Sequence, residues 1–209
     1  MIKSHVAQQD FRWQPAIRAR VVNELTVAVI GVGRIGSRVA AIFKGFGARV
    51  VAYDIEPRDE FKSLVEYQTS LLDAVKVADI VTIHMPATTL NYHQFNLDLF
   101  KQFKPGSVLV NTARGQIVDT VALLDALDTE LLEAAAIDVY EHEDAVVPLD
   151  KRNTHIEDDI FRQLLAHPKI IYTPHIAYYT DTAVKQLIFI PLDATLEIIQ
   201  SGTTDTRLN

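Results

Sequence analysis

Short runs of β-branched and apolar residues alternate along this chain with segments of helical periodicity. The runs are Val27–Ile30, Arg49–Tyr53, Ile80–His84, Val108–Asn111, Ala134–Ile137 and Ile170–Thr173. Most are continuously apolar rather than alternating, which suits strands covered on both faces, as in a parallel sheet. Between them, Ile35, Val39, Ile42 and Phe43 are spaced to share one helix face. Val121, Leu124 and Leu127 mark a later helix, with Asp119 and Thr120 as capping residues. This β-α-β-α alternation predicts an α/β fold with a doubly wound parallel sheet.

Two stretches fall outside that pattern. Residues 1–24 hold no strand ahead of the first glycine motif. Residues 181–200 read as one long helix, with Ala183, Val184, Leu187, Ile188, Leu192 and Leu196 largely on one side. Pro191 lies inside it. A proline there removes a backbone donor at a cost of about 3 kcal/mol, so a kink or break is expected.

Composition narrows the field. Of the 209 residues, 48% are hydrophobic, enough for one good core and a small second unit. No apolar run reaches the roughly 18 residues that a membrane span needs. The opening residues Met1–His5 lead into polar sequence without an apolar stretch, so no signal peptide is expected. The absence of cysteine excludes disulfides and zinc-thiolate sites, and is compatible with the cytoplasm. No metal site is read. A net charge of −7 argues against a general nucleic-acid surface.

The first chemical signal is Gly31-Val32-Gly33-Arg34-Ile35-Gly36, entered from an apolar strand and left by a helix pattern. Gly31 permits a tight turn, Gly33 lets backbone approach a pyrophosphate, and Gly36 lets helix and strand pack closely. The helix N-terminus offers unpaired N–H groups to phosphates. Asp54 ends the second strand, 18 residues after Gly36. A carboxylate there accepts from the adenosine ribose hydroxyls and repels a 2′-phosphate, which favours NAD over NADP. Arg58, nearby, weakens that preference a little.

Four further residues follow later strands. Arg114 stands after Val108–Ala113, where a guanidinium can grip a carboxylate bidentately, although a surface ion pair fits its position equally. Asp138 and Glu143 follow the next strand, where carboxylates also serve as caps or solvated charges. His175 follows the last, and lone histidines are often structural. Taken together they supply what reduction of a 2-oxo acid needs besides a hydride: a carboxylate anchor, and a histidine whose proton a carboxylate partner steadies.

From about Val6 onward the chain resembles the D-isomer-specific 2-hydroxyacid dehydrogenases, most of all those acting on D-lactate and D-2-hydroxyisocaproate. The resemblance rests on Gly31–Gly36 with Asp54, His84-Met85-Pro86, Val110–Gly115, Asp138–Glu143 and Pro174–Tyr179. It implies a Rossmann NAD-binding domain over residues 25–176. Residues 1–24 would be the remnant of a crossover, and 177–209 a helical segment returning to a catalytic domain that is largely missing. It implies that Arg114 binds substrate, that His175 is the acid/base and that Glu143 is its partner. Arg34 and Ile35 would meet the pyrophosphate, Asp54 the ribose, and Met85, Pro86 and Asn91 the adenosine side. Thr112, Ala113 and Asp138 would lie near the nicotinamide. His142 departs from the family pattern, beside Glu143. The Tyr178-Tyr179 pair leans towards the hydroxyisocaproate type. A homodimer through this domain is implied, as is a tendency to associate through the unpartnered helix. An NAD(H)-binding module without turnover is the alternative reading, and an NAD-sensing regulatory protein a third.

Overall fold

The computed structural model describes residues 19–145, 147 and 156–204. Residues 1–18 of the expected crossover lie outside them. The chain divides into two units, Met1–Pro174 and His175–Asn209.

The first unit is built on seven strands: β1 Thr26–Ile30, β2 Arg49–Tyr53, β3 Glu66–Tyr67, β4 Ile80–Ile83, β5 Ser107–Asn111, β6 Leu132–Ile137 and β7 Ile170–Tyr172. All pairings are parallel, in the order β3-β2-β1-β4-β5-β6-β7. The order reverses direction between β1 and β4, the point where such sheets open a crevice. Six predicted strands are present within two residues of their expected ends. β3 has only two residues, too short for a periodicity to register.

The helices are α1 Arg34–Gly45, α2 Leu71–Val77, α3 Leu97–Phe100, α4 Thr120–Asp128, α5 Asp159–Ala166 and, in the second unit, α6 Asp181–Ser201. Side-chain caps set most of their starts. Ser70, Asn96, Asp119 and Asp158 each accept the N–H three residues on, at 2.9–3.1 Å.

At the centre of the sheet both faces are buried. Ala28 and Ile30 of β1 point into a core with Val81, Ile83, Phe95, Phe100 and Leu123. Val27 and Val29 point the other way, onto Ala40, Val50 and Val65. This two-sided burial is why the strands read as continuous apolar runs.

Two expectations about helix faces are corrected, and no break occurs at Pro191. In α1 the inward residues are Gly36 and Ala40, with Phe43 packed partly against the core. Ile35 and Ile42 are 67% and 58% exposed. Helix and strand approach so closely that only small residues fit between them, which turns the larger ones outward. In α4 the buried stripe runs through Leu123, Leu124 and Leu127, and Val121 faces solvent. In the second unit, α6 runs unbroken through Pro191. None of its residues is fully buried, so water can reach the carbonyl that loses its donor. Phe189, Ile190, Ile198 and Ile199 are exposed along with Leu187 and Leu192.

Candidate functional site at the carboxyl edge of the sheet

Strand register lines up the carboxyl ends. Ile30 pairs with Tyr53 and Ile83, Ile83 with Asn111, Asn111 with Ile137, and Ile137 with Tyr172. The next residue of each strand therefore falls in one row: Asp54, Gly31, His84, Thr112, Asp138 and Thr173. Backbone bonds carry the ladder one step beyond the strands, with Gly31 N donating to Tyr53 O at 2.9 Å and Asp138 N to Asn111 O at 2.9 Å. Four of the residues singled out from sequence, Gly31, Asp54, Thr112 and Asp138, stand in that row.

The glycines differ in what holds them. Gly31 has φ +91°, and a Cβ on it would meet Met85 N at 2.8 Å. A Cβ on Gly36 would lie 2.0 Å from Gly31 O. Around Gly33 nothing lies within 4 Å of that position. The first and third glycines are thus required by the fold, and the second leaves open space beside the start of α1. Open space at the amino end of a helix is what a pyrophosphate requires. Arg34 and Ile35 open the helix, both exposed.

Asp54 is braced across this turn. Its Oδ2 accepts from Val32 N at 2.6 Å and its Oδ1 from Glu56 N at 3.0 Å. Beside it a cleft of about 560 Å³ is lined by Tyr53, Asp54, Ile55, Pro57, Tyr67, Gln68 and Thr69. The Arg58 guanidinium, expected to bear on cofactor choice, lies 3.7 Å from Glu60.

Beyond β4, His84 is held neutral, because burial pushes its imidazole down to about 4. Its Nε2 sits 2.9 Å from Thr82 Oγ1. Met85 is half-buried and Pro86 exposed. Asn91 spends its side chain on the loop itself. Its Oδ1 accepts from Thr88 N at 2.7 Å, and its Nδ2 donates to Pro86 O at 2.8 Å.

Asn111 plays the same part after β5. It accepts from Ala113 N and donates to Arg114 O, each at 3.0 Å. Thr112 and Arg114 are exposed on the turn so formed, with Arg114 Nη1 donating to Ala113 O at 2.6 Å. Gly115 then packs directly on the β6 loop: a Cβ there would lie 2.1 Å from Tyr140 C. The Arg114 and Glu143 segments are brought together through this backbone contact.

In the β6 loop Asp138 is buried and accepts the Thr173 hydroxyl. Glu143 Oε2 accepts from Tyr140 N at 3.1 Å. His142, the departure noted in the sequence, is exposed and stands edge-on to Tyr140 with ring centroids 5.7 Å apart. The Tyr140 hydroxyl donates to Asp158 at 2.6 Å, and burial raises its ionisation well above the usual range. His175 belongs to the second unit. It adopts φ +54°, and its ring meets Tyr178 edge-on at 6.1 Å.

Sequence reading passed over Asn111, His93 and Glu141. Glu141 is a second carboxylate of the β6 loop with a buried side chain, accepting from Thr120 N at 3.1 Å and meeting His93 Nε2 at 2.6 Å. Its partners lie 21 and 48 residues away. No periodicity records such a pairing, and among Asp138, His142, Glu143 and Asp144 nothing local marks Glu141 out.

A seven-stranded parallel sheet, a glycine turn with an open cradle, and a braced acidic residue on the neighbouring strand define a dinucleotide-binding α/β domain. Residues 1–177 match the D-isomer specific 2-hydroxyacid dehydrogenase, NAD binding domain, and the chain belongs to that family. It is 52% identical over 209 residues to a D-lactate dehydrogenase of Streptococcus pyogenes serotype M1, covering 100% of this chain and 63% of that one. It superposes on a D-lactate dehydrogenase from Treponema pallidum with a TM-score of 0.91 at 41% identity, over 98% of this chain and 61% of that one. With the D-lactate dehydrogenase of Lactobacillus jensenii, solved with NAD+, the TM-score is 0.90 at 32% identity, over 100% and 62%. The chain thus spans less than two-thirds of the length of these relatives. Among the described residues no helix is long and apolar enough to cross a membrane.

Proposed function

We propose that this chain is the cofactor-binding part of an NAD-dependent D-2-hydroxyacid dehydrogenase of the D-lactate dehydrogenase type, which interconverts a 2-oxo acid and a D-2-hydroxy acid. The observation that carries the reading is the row of strand ends: it sets the glycine cradle, Asp54 and the Arg114 and Glu143 loops along one edge. When bound, the nicotinamide supplies the hydride.

The chain's own residues then divide the work. Gly31, Gly33 and Gly36 admit the pyrophosphate, with Arg34 and Ile35 flanking it. Asp54 retains lone pairs for the ribose hydroxyls. Met85, Pro86 and Asn91 border the adenosine side, on a loop that the Asn91 side chain also closes. Thr112, Ala113 and Asp138 border the nicotinamide side. Arg114 grips the substrate carboxylate and polarises the oxo group. His175, steadied by Glu143, donates a proton to the oxygen as hydride reaches the carbon, and takes it back in the reverse direction. A cytoplasmic location and a homodimer complete the proposal. The lack of cysteine and the exposed apolar residues of α1 support these two points.

The test is NADH consumption by the purified chain with pyruvate and with 2-oxoisocaproate. Arg114→Ala and His175→Ala should each lower the rate about 10²–10⁴-fold. NADH binding without any turnover in the unaltered chain would leave a cofactor-binding module instead.

A further inference from the structure

The loops leaving β4, β5 and β6 are fastened to one another by a pair of side chains that no part of the proposed chemistry uses. His93 lies in the β4 loop and Glu141 in the β6 loop. Their Nε2 and Oε2 atoms are 2.6 Å apart, and the Glu141 side chain is only 8% exposed. The other Glu141 oxygen accepts from Thr120 N, at the start of α4. His93 also joins the β5 loop through its backbone, since its N–H donates to Gln116 O at 2.9 Å. Phe95 continues that contact, donating to Ile117 O and accepting from Asp119 N. The turn that carries Arg114 is therefore held on one side by the His93 segment and on the other by the Tyr140–Glu141 backbone against Gly115.

Two features argue that this arrangement serves geometry more than stability. His93 has φ +49°, a left-handed conformation uncommon for any residue but glycine, and its ring stacks on Tyr92 at 3.9 Å. Such a conformation persists only where its surroundings over-determine it, and it concentrates at functional sites. Glu141 also keeps its charge in a buried place. Burial pushes its carboxyl up, but the hydrogen bonds from Thr120 and His93 hold it below the usual carboxylate range. A hydrogen bond to a buried carboxylate adds little net stability over apolar filling, whereas its geometry is directional.

We propose that His93 and Glu141 are a positioning pair that locks the Arg114 turn to the Glu143 turn, so that the anchoring arginine and the carboxylate partner are presented in one fixed relation. The proposal rests on the roles assigned above to Arg114 and Glu143.

The test compares the unaltered chain with His93→Ala, His93→Gln and Glu141→Ala. It reads amide hydrogen exchange, NADH affinity, and kcat and KM with pyruvate. In both alanine variants, exchange over Gly115–Thr120 and Tyr140–Asp144 should rise about tenfold or more, while β1, β2 and NADH affinity stay as they were. The kcat/KM for pyruvate should fall about 10- to 100-fold. His93→Gln should recover most of both losses, because its amide N–H can replace the ring donor. Unchanged exchange in the two segments overturns the proposal. So does a rise spread equally over the whole sheet that His93→Gln does not relieve. If the unaltered chain shows no turnover, or Arg114→Ala keeps its rate, the functional reading fails, and the exchange data still decide whether the pair locks the two turns.

Discussion

Gly33 and Gly36 lie three residues apart and have opposite tolerances for a side chain. Gly33 has an ordinary φ of −85° and open space where a Cβ would stand. Gly36 has the Gly31 carbonyl 2.0 Å from that point. Gly33→Ala should therefore fold with an unchanged Tm and bind NADH about tenfold or more weakly, a loss near 1.4 kcal/mol. Gly36→Ala should instead lower stability by about 1–3 kcal/mol, since backbone must move to admit the methyl. Thermal unfolding and fluorescence titration of both variants separate the two effects; equal Tm losses would count against the cradle. The same residues show what was legible at this scale. The glycine motif and Asp54 were readable because their chemistry is local to one β-α-β unit. Asn91 was read from the resemblance as a cofactor contact; its side chain also closes its own loop, a part that no local pattern announces. Asn111 and Glu141 escaped because their work is to hold other loops, which only the fold brings near.

Elements were legible where hydrophobicity was periodic and long. Six strands declared themselves as short apolar runs, the central ones because burial on both faces leaves β1, β2 and β4 apolar along their length. α1 was placed correctly, but its face was misjudged: the pattern weighs large residues, and the contact with β1 selects small ones. Asp79 is a further element-scale feature that pattern alone does not show. It stands just ahead of β4 at the opposite edge of the sheet, and ties that strand to β1 through Thr26 N at 2.9 Å. It also holds Lys104 at 2.8 Å and Arg20 at 2.9 Å. Burial pushes its carboxyl up, but these three donors together hold it below its usual 3.8. With the folded value depressed, its contribution is fully present above pH 3.8 and is lost as pH falls through the folded value. Asp79→Asn should cost about 1–2 kcal/mol at neutral pH, a modest sum because both cations are half-exposed. The variant should converge with the unaltered chain in acid; a gap that persists at the lowest pH would mean that lost packing, not charge, is responsible.

At the scale of the whole molecule, the cradle and the core lie in one unit, so ligand and fold are thermodynamically linked. NADH at a hundred times its Kd should add about 2.7 kcal/mol and raise the Tm of the sheet-bearing unit by about 5–10 °C. A cofactor domain that binds but does not turn over would show the same shift, so calorimetry with and without NADH tests the cradle independently of activity. A shift of zero would mean that the cleft beside Asp54 is not where the nucleotide sits. The margins of the sheet carry a different consequence. β3 has two residues and β7 three, while the strands between them have four to six. An outer strand recruits another by offering a row of unpaired backbone groups, and these offer too few to template one. The Arg49–Glu66 ion pair further guards the β3 side with charge. Crowded copies of this chain should accordingly meet through helical surfaces, and the sheet, hemmed at both sides, does not seed a growing ribbon.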